Sequence, residues 1–128
     1  MQTDIPMIRS MIEQFRASQP APDPFYLPYS QEDIQIPVRD GRTTGARVYK
    51  PKNVPVANGL PGMIVFHGGG FAVGSFETVE WLCRLWTDFG GVAVNVDYRH
   101  APEHVFPAAA HDAFDATKWV SMAKPQSV

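Results

Sequence analysis

The 128-residue sequence has only one cysteine, almost no net charge and no long apolar run. Because Cys83 has no second cysteine to pair with, an internal disulfide and an all-cysteine zinc site are excluded. The formal charge of −2 does not produce the basic stripe of a nucleic-acid-binding domain, so we expect no nucleic-acid partner. No run approaches the ~18 apolar residues of a membrane span, and the first residues lack the pattern of a signal peptide. We therefore expect a cytoplasmic protein with no membrane span.

Apolar residues make up 45% of the chain, which suits one hydrophobic core and excludes a disordered chain. Near the N-terminus, apolar residues recur at helical spacing from Ile5 to Phe15, and a polar residue at position 3 or 4 can cap this helix. A proline-rich connector follows. We therefore divide the chain into an N-terminal helix and connector (1–24), which could be part of a lid, and a main domain (25–128).

The main domain alternates between strand and helix patterns. Two short alternating runs on either side of Asp40-Gly41, at 34–38 and 46–49, predict a β-hairpin or meander. Further on, continuous apolar runs at 63–66 and 92–96 predict strands buried on both faces, and each precedes a helical pattern. This βαβα order predicts an α/β fold with a mostly parallel sheet.

A glycine-rich run, HGGGF at residues 67–71, directly follows the first of these buried strands. Three consecutive glycines remove every Cβ and let backbone amides approach a ligand at the carboxyl end of the strand. Such amides suit a phosphate cradle or an oxyanion hole, and a tight turn without function is the alternative. A dinucleotide fingerprint would need glycine at Val73, and no Walker lysine is present, so a nucleotide-binding domain is the weaker hypothesis.

A second motif, DYRHAPEHVFPAA at residues 97–109, follows the next predicted strand, with Asp112 shortly beyond it. Together, the two motifs resemble those of the hormone-sensitive-lipase-like group of α/β-hydrolases, also called the α/β-hydrolase fold-3 family. The resemblance covers residues 25–123 and implies the N-terminal half of an α/β-hydrolase fold. It also implies a serine carboxylesterase or lipase that uses a Ser-Asp/Glu-His triad without a cofactor, and a small-molecule ester as its substrate.

The resemblance implies roles for individual residues. Gly69 and Gly70 match the family glycines whose amides form two arms of the oxyanion hole. The residues that match supporting positions in the two loops are His67, Gly68, Asp97, Tyr98, Arg99 and Glu103. Two positions depart from the family pattern: His100 stands where leucine is usual, and Val105 stands where proline is usual.

The sequence does not contain the Gly-x-Ser-x-Gly pentapeptide that carries the nucleophile in this family. The acid and the histidine of the triad follow that serine in chain order, so we interpret the chain as an esterase fragment that is inactive alone. Ser75, at the end of the glycine-rich loop, is better explained as a helix cap than as a nucleophile. A non-catalytic ligand-binding protein of the same fold, like the plant gibberellin receptors, is the alternative.

The histidine spacing gives no indication of a metal site. His100, His104 and His111 are irregularly spaced and have no cysteine partners, so we predict that the chain holds no metal.

The apolar run at 63–66 has neither a charged residue nor a proline. In this family it would lie between the preceding strand of the sheet and the strand of the nucleophile. Without that second neighbour, a flat apolar edge predicts self-association and a marginally stable, poorly soluble chain.

Overall fold

The computed structural model describes residues 4–20, 27–55 and 59–123. Its elements, in chain order, are helix α1 (Ile5–Ala17), strands β1 (Tyr29–Pro37), β2 (Thr43–Pro51) and β3 (Gly62–Phe66), helix α2 (Glu80–Asp88), strand β4 (Val92–Asp97) and helix α3 (Ala108–Met122). A short 3₁₀ helix, Phe76–Thr78, precedes α2. Most of the predicted connector, including its boundary at position 24, lies outside the described residues.

Helix α1 forms where the apolar spacing predicts it. Its N-terminus is capped by Asp4, whose carboxylate accepts a hydrogen bond from the Met7 amide at 3.1 Å. Pro6 lies in the first turn, where a missing amide costs nothing because that amide would have no helical partner.

The four strands form one mixed sheet in the order β1-β2-β4-β3. Strands β1 and β2 form the predicted antiparallel hairpin, and β3 pairs with β4 in parallel, from Gly62 opposite Val92 to Phe66 opposite Val96. However, β4 also pairs antiparallel with β2. The prediction of a mostly parallel sheet is therefore wrong for the described strands, because β4 lies between the hairpin and β3 and runs against the strand it joins.

Two apolar cores lie on opposite faces of the sheet. Val94 and Val96 of β4 face one core together with Ala116 of α3, while Ala93 faces the other core together with Cys83 of α2. The alternation of side chains along a strand places successive β4 residues on opposite faces. Helices α2 and α3 thus cover the two faces of a three-layer arrangement, and four of the six β4 residues are buried.

Strand β3 is less buried than the sequence predicts. Val65 is its one buried residue, and its other members are half-buried or exposed. The reason is its position, because within the described part of the chain β3 pairs with β4 alone.

No helix in the described ranges combines the length and the apolar character needed to cross a membrane.

Candidate functional site

Two loops meet at the carboxyl ends of the parallel strands. Strands β3 and β4 run side by side and end at Phe66 and Asp97. The segments that follow them are the glycine loop (residues 67–75) and the β4 loop (residues 98–107). Both predicted motifs therefore lie at one edge of the sheet, which is where ligands bind in open α/β sheets.

The glycine loop has a backbone that requires glycine at Gly69. Its φ angle is +132°, and a Cβ there would lie 1.9 Å from the Val73 carbonyl oxygen. The Gly69 carbonyl accepts hydrogen bonds from the amides of Ala72 and Val73, both at 3.1 Å. Positive φ angles follow at Gly70 (59°) and Phe71 (61°), so the chain turns sharply at these two residues.

The amides of Gly69 and Gly70 are not used within this turn. Among the hydrogen bonds between described residues, neither amide is a donor. Gly70 is exposed and Gly69 is half-buried. Both N–H groups are therefore available to an external acceptor, although the carbonyl of Gly69 is held inside the loop.

His67 is buried at the start of the glycine loop. Its Nδ1 donates to the Gly68 carbonyl at 2.8 Å, and its Nε2 lies 3.2 Å from Oδ1 of Asp97. The Tyr98 hydroxyl donates to the His67 carbonyl at 2.6 Å, and the two rings stack with centroids 4.6 Å apart. Burial lowers the pKa of His67, but the contacts with Asp97 and the Gly68 carbonyl outweigh it and raise the pKa above its usual value.

Gly74 also has a role that the sequence does not reveal. Its φ is +112°, and a Cβ there would lie 2.3 Å from Nδ1 of His67. This glycine is therefore needed for close packing against the histidine ring.

Arg99 connects three parts of the fold. Its Nε and Nη2 donate to the two oxygens of the fully buried Asp112 carboxylate, at 2.9 and 2.6 Å, and its Nη1 donates to Asp40 at 2.6 Å. The hydrogen bonds to Asp112 and Asp40 raise the pKa of Arg99, and the pKa of Asp40 is lowered in turn. The β4 loop is thus tied to α3 and to the hairpin turn.

Glu103 pairs with Arg9, a residue that the sequence analysis did not identify. The guanidinium donates to both Glu103 oxygens, at 2.6 and 3.1 Å. It also donates to the carbonyls of Ala72, at 2.8 and 2.9 Å, and Ala101, at 2.8 Å. Helix α1 is therefore fastened across both loops by one side chain. The hydrogen bond to Arg9 holds the pKa of Glu103 below its usual value.

His100 lies beside His67, with the two Nε2 atoms 3.3 Å apart. These two histidines and Asp97 place three ligand atoms within 4.8 Å of one another, so they form a group that could hold a metal ion. The spacing of the histidines along the sequence predicts no metal, because residues 67 and 100 are distant in the chain and only folding brings them into contact.

Ser75 has the geometry of a capping residue. It occupies the N-cap position of the 3₁₀ helix, where its amide donates to the Thr78 hydroxyl at 3.1 Å. Its own hydroxyl donates to the carboxylate of Glu77. Ser75 therefore occupies a capping position, and the helix that it precedes is the 3₁₀ helix and not α2.

Comparison with known proteins adds to this geometry. Residues 63–127 match the profile of the family described as "alpha/beta hydrolase fold". The chain is 44% identical over 78 residues to the esterase LipI of Mycobacterium tuberculosis, an alignment that covers 60% of this chain and 24% of LipI. It is 38% identical over 89 residues to the ethyl acetate hydrolase of Pseudomonas putida, covering 69% of this chain and 28% of that protein.

A solved esterase structure from Pyrobaculum calidifontis superposes with a TM-score of 0.72 at 41% identity, covering 93% of this chain and 38% of that one. The chain thus spans between a quarter and two fifths of the length of these three proteins. These three proteins are named as esterases and a hydrolase, which does not favour the receptor or nucleotide-binding alternatives. The family match, the hydrolase relatives and the placement of both motifs at one sheet edge establish that this chain belongs to the hormone-sensitive-lipase-like α/β-hydrolase fold-3 family.

Proposed function

We propose that this chain supplies the oxyanion-binding part of a serine carboxyl-ester hydrolase that acts on small-molecule esters. The amides of Gly69 and Gly70 receive the negative charge that develops on the ester carbonyl oxygen during nucleophilic attack. The main observation that supports this proposal is that both amides lack an acceptor among the described residues. The loop around them is nevertheless fixed by its own hydrogen bonds. One such donor contributes about 2.7–4 kcal/mol to the transition state.

The supporting residues keep these amides in place before substrate arrives. His67 and Tyr98 hold the start of the glycine loop through the Gly68 and His67 carbonyls, and Asp97 holds the far side of the imidazole. Arg99 and Glu103 fix the neighbouring β4 loop. Donors that need no rearrangement during the reaction stabilise developing charge more effectively than mobile ones.

Helix α1 fits the role of a lid over the acyl group of the substrate. Its side chains Met7, Met11 and Phe15 are 56–68% exposed, which is unusual for one face of a docked helix. A groove of about 400 Å³ runs between this face and the 3₁₀ helix. We propose that this apolar surface meets the acyl chain, with Arg9 holding α1 in position.

The nucleophile is proposed to come from residues that this sequence does not contain. A serine in the Gly-x-Ser-x-Gly context is missing from the 128 residues, and the hydroxyl of Ser75 is committed to Glu77. The chain alone is therefore proposed to be inactive, and its amides would act only beside a serine and histidine supplied by a complete enzyme.

A chimaera tests this proposal. The chain replaces the matching segment of Pseudomonas putida ethyl acetate hydrolase, and hydrolysis of p-nitrophenyl acetate is followed. We expect the chimaera to hydrolyse this ester catalytically. The chain alone should give only the hydrolysis rate measured in buffer without protein. An inactive but folded chimaera, or an active isolated chain, would contradict the proposal.

Gly68 and Gly69 provide a matched pair of variants for this test. A Cβ at Gly68 meets no atom within 4 Å, whereas one at Gly69 would collide with Val73. In the chimaera, Gly69→Ala should therefore lower kcat by roughly 100-fold or more, the size of the loss of one oxyanion donor. Gly68→Ala should leave kcat nearly unchanged, and equal losses in both variants would contradict the assignment.

A further inference from the structure

Three metal-ligating side chains from separate parts of the sequence meet beside the glycine loop. The Nε2 atom of His67 lies 3.2 Å from Oδ1 of Asp97 and 3.3 Å from Nε2 of His100. The third distance, from His100 Nε2 to Asp97 Oδ1, is 3.8 Å. Imidazole nitrogen and carboxylate oxygen together form a donor set that suits zinc and related divalent transition metals.

The spacing of the three atoms matches the coordination sphere of such an ion. With metal–ligand distances of about 2.0–2.1 Å, neighbouring ligand atoms of a tetrahedral site are about 3.3 Å apart. Two of the observed distances, 3.2 and 3.3 Å, have this value, and the third, at 3.8 Å, needs a shift of about half an ångström. One ion could therefore contact all three atoms with little movement of the chain.

The orientation of His67 favours coordination through Nε2. Its Nδ1–H is committed to the Gly68 carbonyl at 2.8 Å, an arrangement that metal-binding histidines use to fix their tautomer. In the neutral ring the lone pair then lies on Nε2 and points at Asp97 and His100. Stacking on the Tyr98 ring, with centroids 4.6 Å apart, favours this orientation.

The group can be reached from solvent. The His67 side chain is fully buried, but that of Asp97 is 38% exposed and that of His100 is 17% exposed. An ion entering on the Asp97 side would have three protein ligands and one position open to water, which is the coordination of an accessible zinc site.

We propose that His67, Asp97 and His100 bind one divalent transition-metal ion of the zinc class, through Nε2, Oδ1 and Nε2. The ion links the glycine loop to the β4 loop, so it stiffens the backbone that carries Gly69 and Gly70. This proposal does not depend on the proposed ester hydrolysis, because it concerns binding by the isolated chain.

Titration of the full chain with Zn²⁺ after treatment with a chelator tests the proposal. Calorimetry should show saturable binding of one ion per chain. In ¹⁵N-labelled protein, the imidazole Nε2 resonances of His67 and His100 should shift on binding, while those of His104 and His111 should not. Absence of saturable binding, or shifts at the other two histidines instead, would overturn the proposal.

Substitution in the β4 loop provides a matched pair. His100→Leu removes one ligand and introduces the residue that the family resemblance places there, and His104→Leu makes the same change outside the group. Loss of a direct ligand should weaken Zn²⁺ binding by more than the roughly 10–100-fold that outer-shell changes cause. His104→Leu should bind like the parent chain, and equal affinity of both variants for Zn²⁺ would overturn the proposal. Asp97→Asn, which keeps the side-chain shape, provides a second ligand test if His100→Leu does not fold.

Discussion

At the residue scale, two aspartates with arginine partners differ in their surroundings. Asp112 is fully buried and accepts hydrogen bonds from the amide, Nε and Nη2 of Arg99. Asp33 pairs with Arg47 at 2.6 Å, but its side chain is 57% exposed. Breaking a buried pair leaves an uncompensated charge in the interior, whereas an exposed pair is replaced by water.

We therefore predict that Asp112→Ala lowers the free energy of unfolding by about 3–5 kcal/mol, enough to unfold a marginally stable chain. Asp33→Ala should lower it by about 1 kcal/mol or less. Urea denaturation followed by circular dichroism measures both. Similar losses in the two variants would show that the burial of Asp112 does not determine its contribution.

Cys83 should be chemically protected in the folded chain. Burial, together with the nearby charge of Glu80, raises the pKa of its thiol to about 11. Because the thiolate is the reactive form, its fraction near neutral pH is at least about a hundredfold smaller than for a free cysteine. Labelling with a chromogenic disulfide at mildly alkaline pH should be slow in buffer, fast in denaturant, and faster in buffer as the pH approaches the raised pKa. Equal rates in buffer and denaturant would contradict the buried position.

The sequence predicts which residue types form the candidate site more readily than it predicts their contacts. Gly69 and Gly70 stand out because consecutive glycines after a strand have few explanations. Arg9 gives no such signal, because an arginine between apolar helix positions is indistinguishable from a solvated one until the helix is docked. The approach of His100 to His67 is hidden for a similar reason, since it depends on the pairing of β3 with β4.

At the element scale, Arg9 makes helix α1 part of the site. Its guanidinium contacts two backbone carbonyls and Glu103, whereas Arg16, two turns further on, approaches Thr78 at 3.5 Å and Glu77 at 3.6 Å. No residue of α1 is buried, so apolar packing contributes little to its attachment. Its attachment therefore depends mainly on polar contacts.

We predict that Arg9→Ala releases α1, so that amide hydrogen exchange accelerates in α1 and in the glycine loop but not in β4. Hydrogen exchange with mass spectrometry measures this. Arg16→Ala, which removes weaker contacts from the same helix, should change exchange much less. Unchanged protection of α1 in Arg9→Ala would mean that other contacts attach the helix.

The spacing of apolar residues along the sequence predicts most helices and strands, because it reflects which side chains are buried. The hairpin and the βαβα order are confirmed, with helix ends shifted by one or two residues. The order of strands is not encoded locally, so the insertion of β4 beside β2 was not predicted. The local sequence pattern also does not predict which helix residues are covered by other elements. Trp81 of α2, for example, is 65% exposed.

At the scale of the whole molecule, β3 presents an edge that carries no charged residue. Within the described sheet it pairs on one side alone, and its sequence is GMIVF. An unprotected apolar edge is a template for pairing with another chain.

We predict that the chain self-associates through β3 and that Gly62→Lys reduces this association. A Cβ at position 62 meets no atom within 4 Å, so the lysine introduces a charge at the edge without strain. Ser121→Lys adds the same charge on an exposed turn of α3. Sedimentation over a range of concentrations should show less association for Gly62→Lys alone. Equal association of the two variants would exclude the β3 edge as the contact.

Replacing each of the Gly69 and Gly70 amides by a backbone ester in the active chimaera tests whether these amides donate hydrogen bonds to a reacting ester. This change removes one N–H group and adds no Cβ at positions where φ is positive. We predict that each replacement lowers kcat by roughly 100- to 1,000-fold with little change in KM. An unchanged kcat after replacement at both Gly69 and Gly70 would show that these amides do not form the oxyanion hole.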